Sequence, residues 1–165
     1  MTASTRGISV SQKSTVPTSI KSAILYATLV AGALDALDGV VFFGFKGLNP
    51  IQVLQFIASG VLGAPAFTGG LATAGAGVLV HFSITAVIAA IYIFASQRVP
   101  ALSSQWALCG LLYGAAVWAV MNLVVLPHTA VAQTPITIAA LLNGIIGHAF
   151  LIGLPISYFA RKTIM

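Results

Sequence analysis

The sequence contains little charge, and very little negative charge. Charged residues make up 5% of its 165 residues, and the only acids are Asp35 and Asp38, so the chain has no Glu. Soluble domains carry about 25% charged residues, whereas this chain is 59% hydrophobic. Such a composition cannot cover a globular surface with polar groups. We therefore predict a protein whose surroundings are the lipid bilayer.

Other absences exclude further classes of protein. The single cysteine, Cys109, cannot form an intrachain disulfide, and in its apolar segment it is expected to pack as a small hydrophobic residue. The net charge is +5, but the cations are scattered between apolar segments, which argues against nucleic-acid binding. The chain has no phosphate-binding glycine loop with a lysine, no G-x-S-x-G and no H-E-x-x-H. We predict that it is not an enzyme.

Long apolar runs dominate what is present. About 20 apolar residues cross the roughly 30 Å hydrocarbon core of a bilayer, and they must be helical because lipid offers no hydrogen-bond partner to the backbone. Short connections between such runs favour an antiparallel up-and-down bundle. The predicted fold is an all-α integral membrane protein with four transmembrane helices, over residues 20–45, 71–96, 106–126 and 137–160. We predict one transmembrane domain, residues 19–165, after a disordered cytoplasmic tail, residues 1–18.

A shorter apolar stretch, residues 50–63, lies between the first two runs. Asn49 is a typical N-cap and Pro50 a typical first helical residue, while Gln52 and Gln55 share one face. As a helix the stretch would reach only about 21 Å. We therefore predict an interfacial or re-entrant helix rather than a fifth span.

The basic residues determine the predicted orientation. With four spans, both ends of the chain lie on the same side of the membrane. Only Lys46 lies on the opposite side from the other cations, which are Arg6, Lys13, Lys21, Arg98, Arg161 and Lys162. The positive-inside rule then places both termini in the cytoplasm.

Ionisable residues interrupt three of the predicted spans. Asp35 and Asp38 are spaced to share one helix face, and a carboxylate near the bilayer centre costs about 2.5–3.5 kcal/mol. At 1.5 Å per residue, Asp35, His81 and His148 each lie about 15 Å below the outer end of their span. The predicted site in the outer half of the bundle consists of Asp35, Asp38, His81 and His148. Its predicted supporting polar residues are Asn122, Asn143 and Thr85.

The sequence leaves several interpretations of this site open. An Asp–His chain can move or sense protons or ions, and this is the leading functional hypothesis. The alternative is a redox subunit, in which His81, His148, Asp35 and Asp38 bind a divalent metal or the two imidazoles hold a haem b. The same residues can also act only as interhelical glue worth about 1 kcal/mol, in a structural subunit of a larger membrane complex. No cofactor is expected on the leading hypothesis.

Small residues and one proline suggest how the helices pack. Gly110 and Gly114 form a G-x-x-x-G pattern, which permits close backbone approach. That face can serve a contact within the bundle or a homo-oligomer, and both interpretations stay open. Pro155 is expected to kink the fourth span about two turns below His148.

Several residues in the last three runs follow the order of a known family. They are His81 in the second run, Trp106 and Gly110 opening the third, Pro127 ending it, and Gly147-His148 in the fourth. In this order, over roughly residues 75–160, the chain resembles the YagU-like family of bacterial inner-membrane proteins. That family has no established activity, so the resemblance implies a location in the bacterial inner membrane and no specific reaction. Asp35 and Asp38 lie outside the matching pattern.

Overall fold

A computed structural model of the chain describes residues 18–132 and 135–164. The predicted N-terminal tail lies outside these residues, apart from Thr18. The helices are α1 (Ile20–Gly44), α2 (Pro50–Leu62), α3 (Gly70–Ser96), α4 (Ala101–Ser104), α5 (Trp106–Val120), α6 (Ile138–Gly147) and α7 (Leu154–Arg161). Short 3-10 turns cover Ala64–Thr68 and Leu126–His128, and π-helical turns cover Met121–Val125 and His148–Gly153.

Four helical stretches are long and apolar enough to cross a membrane. They are Ile20–Gly44, Gly70–Ser96, Trp106–His128 and Ile138–Arg161, here called spans one to four. No strand occurs in the part of the chain that the structure describes. The predicted all-α bundle with four transmembrane helices is confirmed, and each span begins and ends within about two residues of its predicted bounds.

Many small side chains are buried inside the bundle, and many large apolar side chains face outward. On α1, Ala23, Ala27 and Ala31 are fully buried, whereas Leu29 and Leu37 are exposed. Lipid tails are as apolar as leucine, so helices in a membrane are held by close packing of small residues. This distribution identifies a multi-pass membrane protein.

Contacts between the first and last described residues close one end of the bundle, here called the terminal end. The Thr18 N–H donates to Lys162 O at 3.0 Å, and Gln97 Nε2 donates to Thr163 Oγ1 at 2.7 Å. The buried apolar core of this half is formed by Ala23, Ala27, Ala89, Tyr92, Ile93, Ile156 and Ala160. The terminal half of the bundle is therefore closely packed.

The opposite end, here called the α2 end, carries the short helix α2. The Gln52 N–H donates to Asn49 Oδ1 at 3.0 Å, and the Asn49 N–H donates to Gln52 Oε1 at 2.9 Å. This reciprocal capping box, with Pro50 in the first turn, confirms the predicted helix start.

α2 packs closely on the first turns of α3. Gly77 lies against the backbone of Leu54, and a side chain at position 77 would collide with it. Gln55 is buried and donates to Gly70 O at 3.0 Å, whereas Gln52 is exposed at the cap. The two glutamines predicted to share one face therefore have different surroundings.

Spans three and four each widen into a π-helical turn just before a proline. Met121–Val125 precedes Pro127, and His148–Gly153 precedes Pro155. Proline has no N–H for the carbonyl one turn earlier, and its ring collides with that carbonyl, so the preceding turn opens. The sequence places the disturbance about two turns below His148. The irregular turn instead begins at His148 itself.

Candidate functional site

The centre of the candidate site is a contact between span one and span four. Asp35 Oδ1 lies 3.5 Å from His148 Nδ1, and the two side chains are 17% and 22% exposed. A carboxylate and an imidazolium attract each other strongly when both are withdrawn from water. The pair is therefore a place where a proton can be held inside the bundle.

The local helix geometry explains why Asp35 points inward. Ala23, Ala27, Ala31 and Asp35 follow one another at four-residue intervals, so they form one stripe along α1. The three alanines are fully buried against the other spans. Asp35 continues this stripe, and its carboxylate meets His148, the first residue of the π-helical turn.

Asp38 forms a second link to span four, one turn further along α1. Asn143 Nδ2 donates to Asp38 Oδ2 at 2.9 Å. Gly147 faces the same carboxylate, and a Cβ at that position would lie 3.1 Å from Oδ2. The missing side chain gives Asp38 its room. Both carboxylates of the chain therefore have their partners on span four.

A shallow groove of about 430 Å³ runs beside this second link. Asp38 and Asn143 line it, and the rest of its wall is apolar, with Phe42, Leu142, Ile146, Gly147 and Phe150 among the residues. Asp38 is therefore accessible from the side of the bundle, between α1 and α6.

His81 reaches span one just before Asp35. Its Nε2 lies 2.8 Å from Gly32 O, and because a carbonyl only accepts, Nε2 is the ring nitrogen that carries hydrogen. His81, His148 and Asp38 all interact electrostatically with Asp35. The other three ionisable residues predicted for the site therefore all act on the charge of Asp35, although only His148 is paired with it.

The three predicted supporting residues divide into two groups. Asn143 joins the site through Asp38. Thr85 Oγ1 donates to His81 O at 2.9 Å, and Asn122 Nδ2 donates to Trp118 O at 3.0 Å. Both of these bonds stay within one helix. Short polar side chains in helices commonly bond to a carbonyl one turn earlier, so the presence of Thr or Asn does not show which way it points.

Gly110 and Gly114 pack α5 directly against span four. A Cβ at Gly110 would collide with Gly153 O, and a Cβ at Gly114 would collide with His148 O. The G-x-x-x-G face thus makes a contact within the bundle. Gly114 also brings α5 onto the backbone of the residue that pairs with Asp35.

Two further glycines shape the site, although sequence reasoning did not assign them to it. Gly32 supplies the carbonyl that His81 binds, and Phe82 packs onto its bare face. Gly147 makes room for Asp38. Their position in the sequence could have assigned them to the site, because Gly32 lies one turn before Asp35 and Gly147 directly precedes His148.

The site brings carboxylates and imidazoles together in pairs rather than around one point. In residues 18–132 and 135–164, no three His, Cys, Asp or Glu side chains form a group that could hold a metal ion. His81 Nε2 is engaged with Gly32 O, and Asp38 Oδ2 is engaged with Asn143. The chemistry that this arrangement supports directly is proton binding at Asp35–His148.

Comparisons with known proteins found no match to this chain. No protein-family model, no curated protein and no solved structure matches the chain. The resemblance to the YagU-like family stays a prediction from the sequence.

Proposed function

We propose that this membrane protein senses pH through a proton held by the Asp35–His148 pair. The carrying observation is the 3.5 Å contact between the two side chains across spans one and four. Histidine changes charge near neutral pH, so protonation would strengthen the attraction between the spans and deprotonation would weaken it. Asp38 and His81 also act on Asp35 and belong to the same electrostatic group.

The π-helical turn supports a role for His148 beyond packing. Such turns are rare in proteins and are frequent at functional sites. His148–Gly153 begins at the very residue that pairs with Asp35. A change in the charge of the pair would therefore act directly on the irregular turn of span four.

The distribution of ionisable groups favours sensing over movement across the membrane. All the Asp and His residues lie at or beyond the middle of the spans, toward the α2 end. The terminal half is filled by residues such as Ala27, Ile93 and Ile156. Tyr92 and Tyr113 also lie there, but their hydroxyls donate to backbone carbonyls. A proton relay through this half would need further titratable groups or water.

The cations support a location and an orientation. Lys21, Arg98, Arg161 and Lys162 lie at the terminal end, and Lys46 lies beyond the other end of α1. We infer a bacterial inner-membrane protein with its terminal end in the cytoplasm and the site in the outer half. The positive-inside rule and the YagU-like resemblance support this inference.

Fluorescence of Trp118 provides a direct test. Trp118 is buried against Gly144 of span four, so it reports on that contact. The chain has two tryptophans, and Trp106→Phe leaves Trp118 as the only reporter. In detergent, between about pH 5 and about pH 8, we expect an emission change that disappears in Asp35→Asn and in His148→Gln. The matched control is His128→Gln, an exposed loop histidine.

Each outcome discriminates between hypotheses. An emission change that survives Asp35→Asn, or no change in the parent protein, would reduce the pair to interhelical glue. Collapse of an imposed pH gradient in proteoliposomes, lost in Asp35→Asn, would replace sensing by proton movement. A stoichiometric metal or a haem absorption band, lost in His81→Ala/His148→Ala, would establish the redox alternative.

A further inference from the structure

A second cavity lies at the terminal end, remote from the Asp–His site. Its volume is about 460 Å³, within the usual range of small-ligand pockets. The end of α3, the one-turn helix α4, the start of α5 and the end of α7 border it, and it is open to the outside. Its polar and aromatic lining comprises Ser96, Gln97, Ser103, Ser104, Trp106 and Arg161.

Arg161 is held in the wall of this cavity by aromatic rings. Its guanidinium carbon lies 4.4 Å from the centroid of Trp106 and 5.1 Å from that of Tyr158. Stacking fixes the plane of the guanidinium but supplies no hydrogen-bond acceptor. Nε is buried and has no hydrogen-bond partner within residues 18–132 and 135–164.

Ser103 presents a second buried polar atom without a partner. Its Oγ is enclosed and makes no hydrogen bond to any described residue. Buried polar atoms are nearly always hydrogen-bonded, and such an exception calls for a partner. Ser103 and Arg161 line the same cavity.

The charge around the cavity indicates the charge that a ligand should carry. The only acidic side chains, Asp35 and Asp38, bind span four at His148 and Asn143, about 20 Å or more along the helix from Arg161. Lys162 follows Arg161 in the chain, with Nζ 4.5 Å from the centroid of Tyr158. The cavity is therefore positive, and a hydroxyl donor and a planar guanidinium match a phosphate group.

The position in the membrane is also suited to a phosphate. Trp106 and Tyr158 lie at the end of their spans, where aromatic side chains mark the level of the lipid headgroups. Basic pockets between the ends of transmembrane helices bind anionic lipid headgroups.

We propose that this cavity binds a phosphate group through Arg161 and Ser103, supplied by a phospholipid headgroup or by free phosphate. The ligand would neutralise Arg161, and it would accept from the two buried donors once their side chains turn toward it. It would also tie α4 to the end of span four.

Trp106 in the cavity wall allows a binding test on the full chain. Trp118→Phe leaves Trp106 as the only tryptophan. This protein, in neutral detergent, is titrated with short-chain phosphatidylglycerol or with inorganic phosphate at constant ionic strength. We expect saturable emission changes that Arg161→Gln weakens about ten-fold or more, and Ser103→Ala less. Saturation by the lipid alone identifies a headgroup site, and saturation by phosphate alone identifies a site for the free anion.

The controls distinguish specific binding in the cavity from nonspecific attraction to positive charge. Arg98→Gln removes an exposed cation at the same end that does not line the cavity. Arg161→Lys keeps the charge but loses the planar fork, so it should bind more weakly than the parent and remain folded. The proposal fails if neither probe saturates, or if Arg98→Gln weakens binding as much as Arg161→Gln. It also fails if Ser103→Ala and Arg161→Lys, both folded, bind like the parent.

Discussion

Asn143 Nδ2 donates a 2.9 Å hydrogen bond to Asp38 Oδ2, one turn along α1 from the pair of Asp35 and His148. Two neighbouring carboxylates on span one thus bind two side chains on span four, but the partners differ. An amide does not titrate, whereas an imidazole does. The Asp38–Asn143 link can hold the two spans in register while the charge of the other link changes with pH.

Removal of the Asn143 amide should destabilise the bundle. Asn143→Ala leaves Asp38 without its donor inside the membrane, and interhelical bonds of this kind are worth about 0.6 to 1.7 kcal/mol. We expect a loss of about 1 kcal/mol or more in the free energy of unfolding, measured by SDS titration in mixed micelles. Asn122→Ala is the matched control, because the Asn122 amide binds only its own helix. Equal losses in the two variants would contradict the role given to the Asp38–Asn143 bond.

A methyl group at Gly114 should separate α5 from span four. The Cβ would meet the backbone at His148 and Ala149, which cannot move aside as a side chain can. Overpacking of this kind costs about 1–3 kcal/mol, so we expect Gly114→Ala to lower the free energy of unfolding by that amount.

Gly75→Ala is the control for this substitution. Gly75 is helical and exposed, and no atom lies within 4 Å of an added Cβ. Alanine is about 1 kcal/mol better than glycine in a helix, so this variant should be neutral or more stable. A Gly114→Ala protein as stable as Gly75→Ala would show that the two helix backbones do not meet.

The coupling between Asp35 and His148 should depend on pH. A double-mutant cycle with Asp35→Asn and His148→Gln isolates their interaction in the free energy of unfolding. The ion pair exists only while the carboxylate is ionised and the imidazole is protonated, so its contribution is lost as the pH rises and the imidazole gives up its proton. We expect a coupling of about 1 kcal/mol at about pH 5.5 and a clearly smaller one at about pH 8.5. A coupling that is constant over this range would contradict proton sensing by the pair.

Counting residues along a span predicts how deep a side chain lies in the membrane. It does not predict which way the helix face points or where a turn is irregular. The span bounds follow from the length of apolar sequence that a bilayer demands, and the common level of Asp35, His81 and His148 follows from those bounds. The four-residue spacing of Ala23, Ala27, Ala31 and Asp35 also carries the inward direction of Asp35. By contrast, Thr85 and Asn122 bind their own helices, which composition does not reveal. From the sequence, Arg161 is one more cation at the predicted cytoplasmic side, and only the fold places it in the same cavity as Ser103.

Replacement of Pro155 should break the contact between His148 and Asp35 without unfolding the bundle. Alanine supplies the missing N–H, so the turn His148–Gly153 can become a regular α-helix. Regular winding in place of one wide turn rotates the residues before it by about 100° relative to those after it. His148 would then turn away from Asp35, while the part of span four beyond the turn keeps its packing.

We expect Pro155→Ala to unfold at about the same denaturant concentration as the parent, because the about 3 kcal/mol that proline costs inside a helix offsets the loss of the Asp38–Asn143 bond and of the packing at Gly144. It should nevertheless lose the Asp35–His148 coupling and the pH-dependent emission of Trp118. In ¹⁵N-histidine-labelled protein, the chain's three imidazoles give three signals, and we expect the signal of His148 to change while that of exposed His128 stays as in the parent. Pro127→Ala is the matched control, because it regularises the π-helical turn of span three, which carries neither member of the pair. If Pro155→Ala keeps the coupling, the wide turn is not what aims His148 at Asp35, and sensing through that turn has to be abandoned.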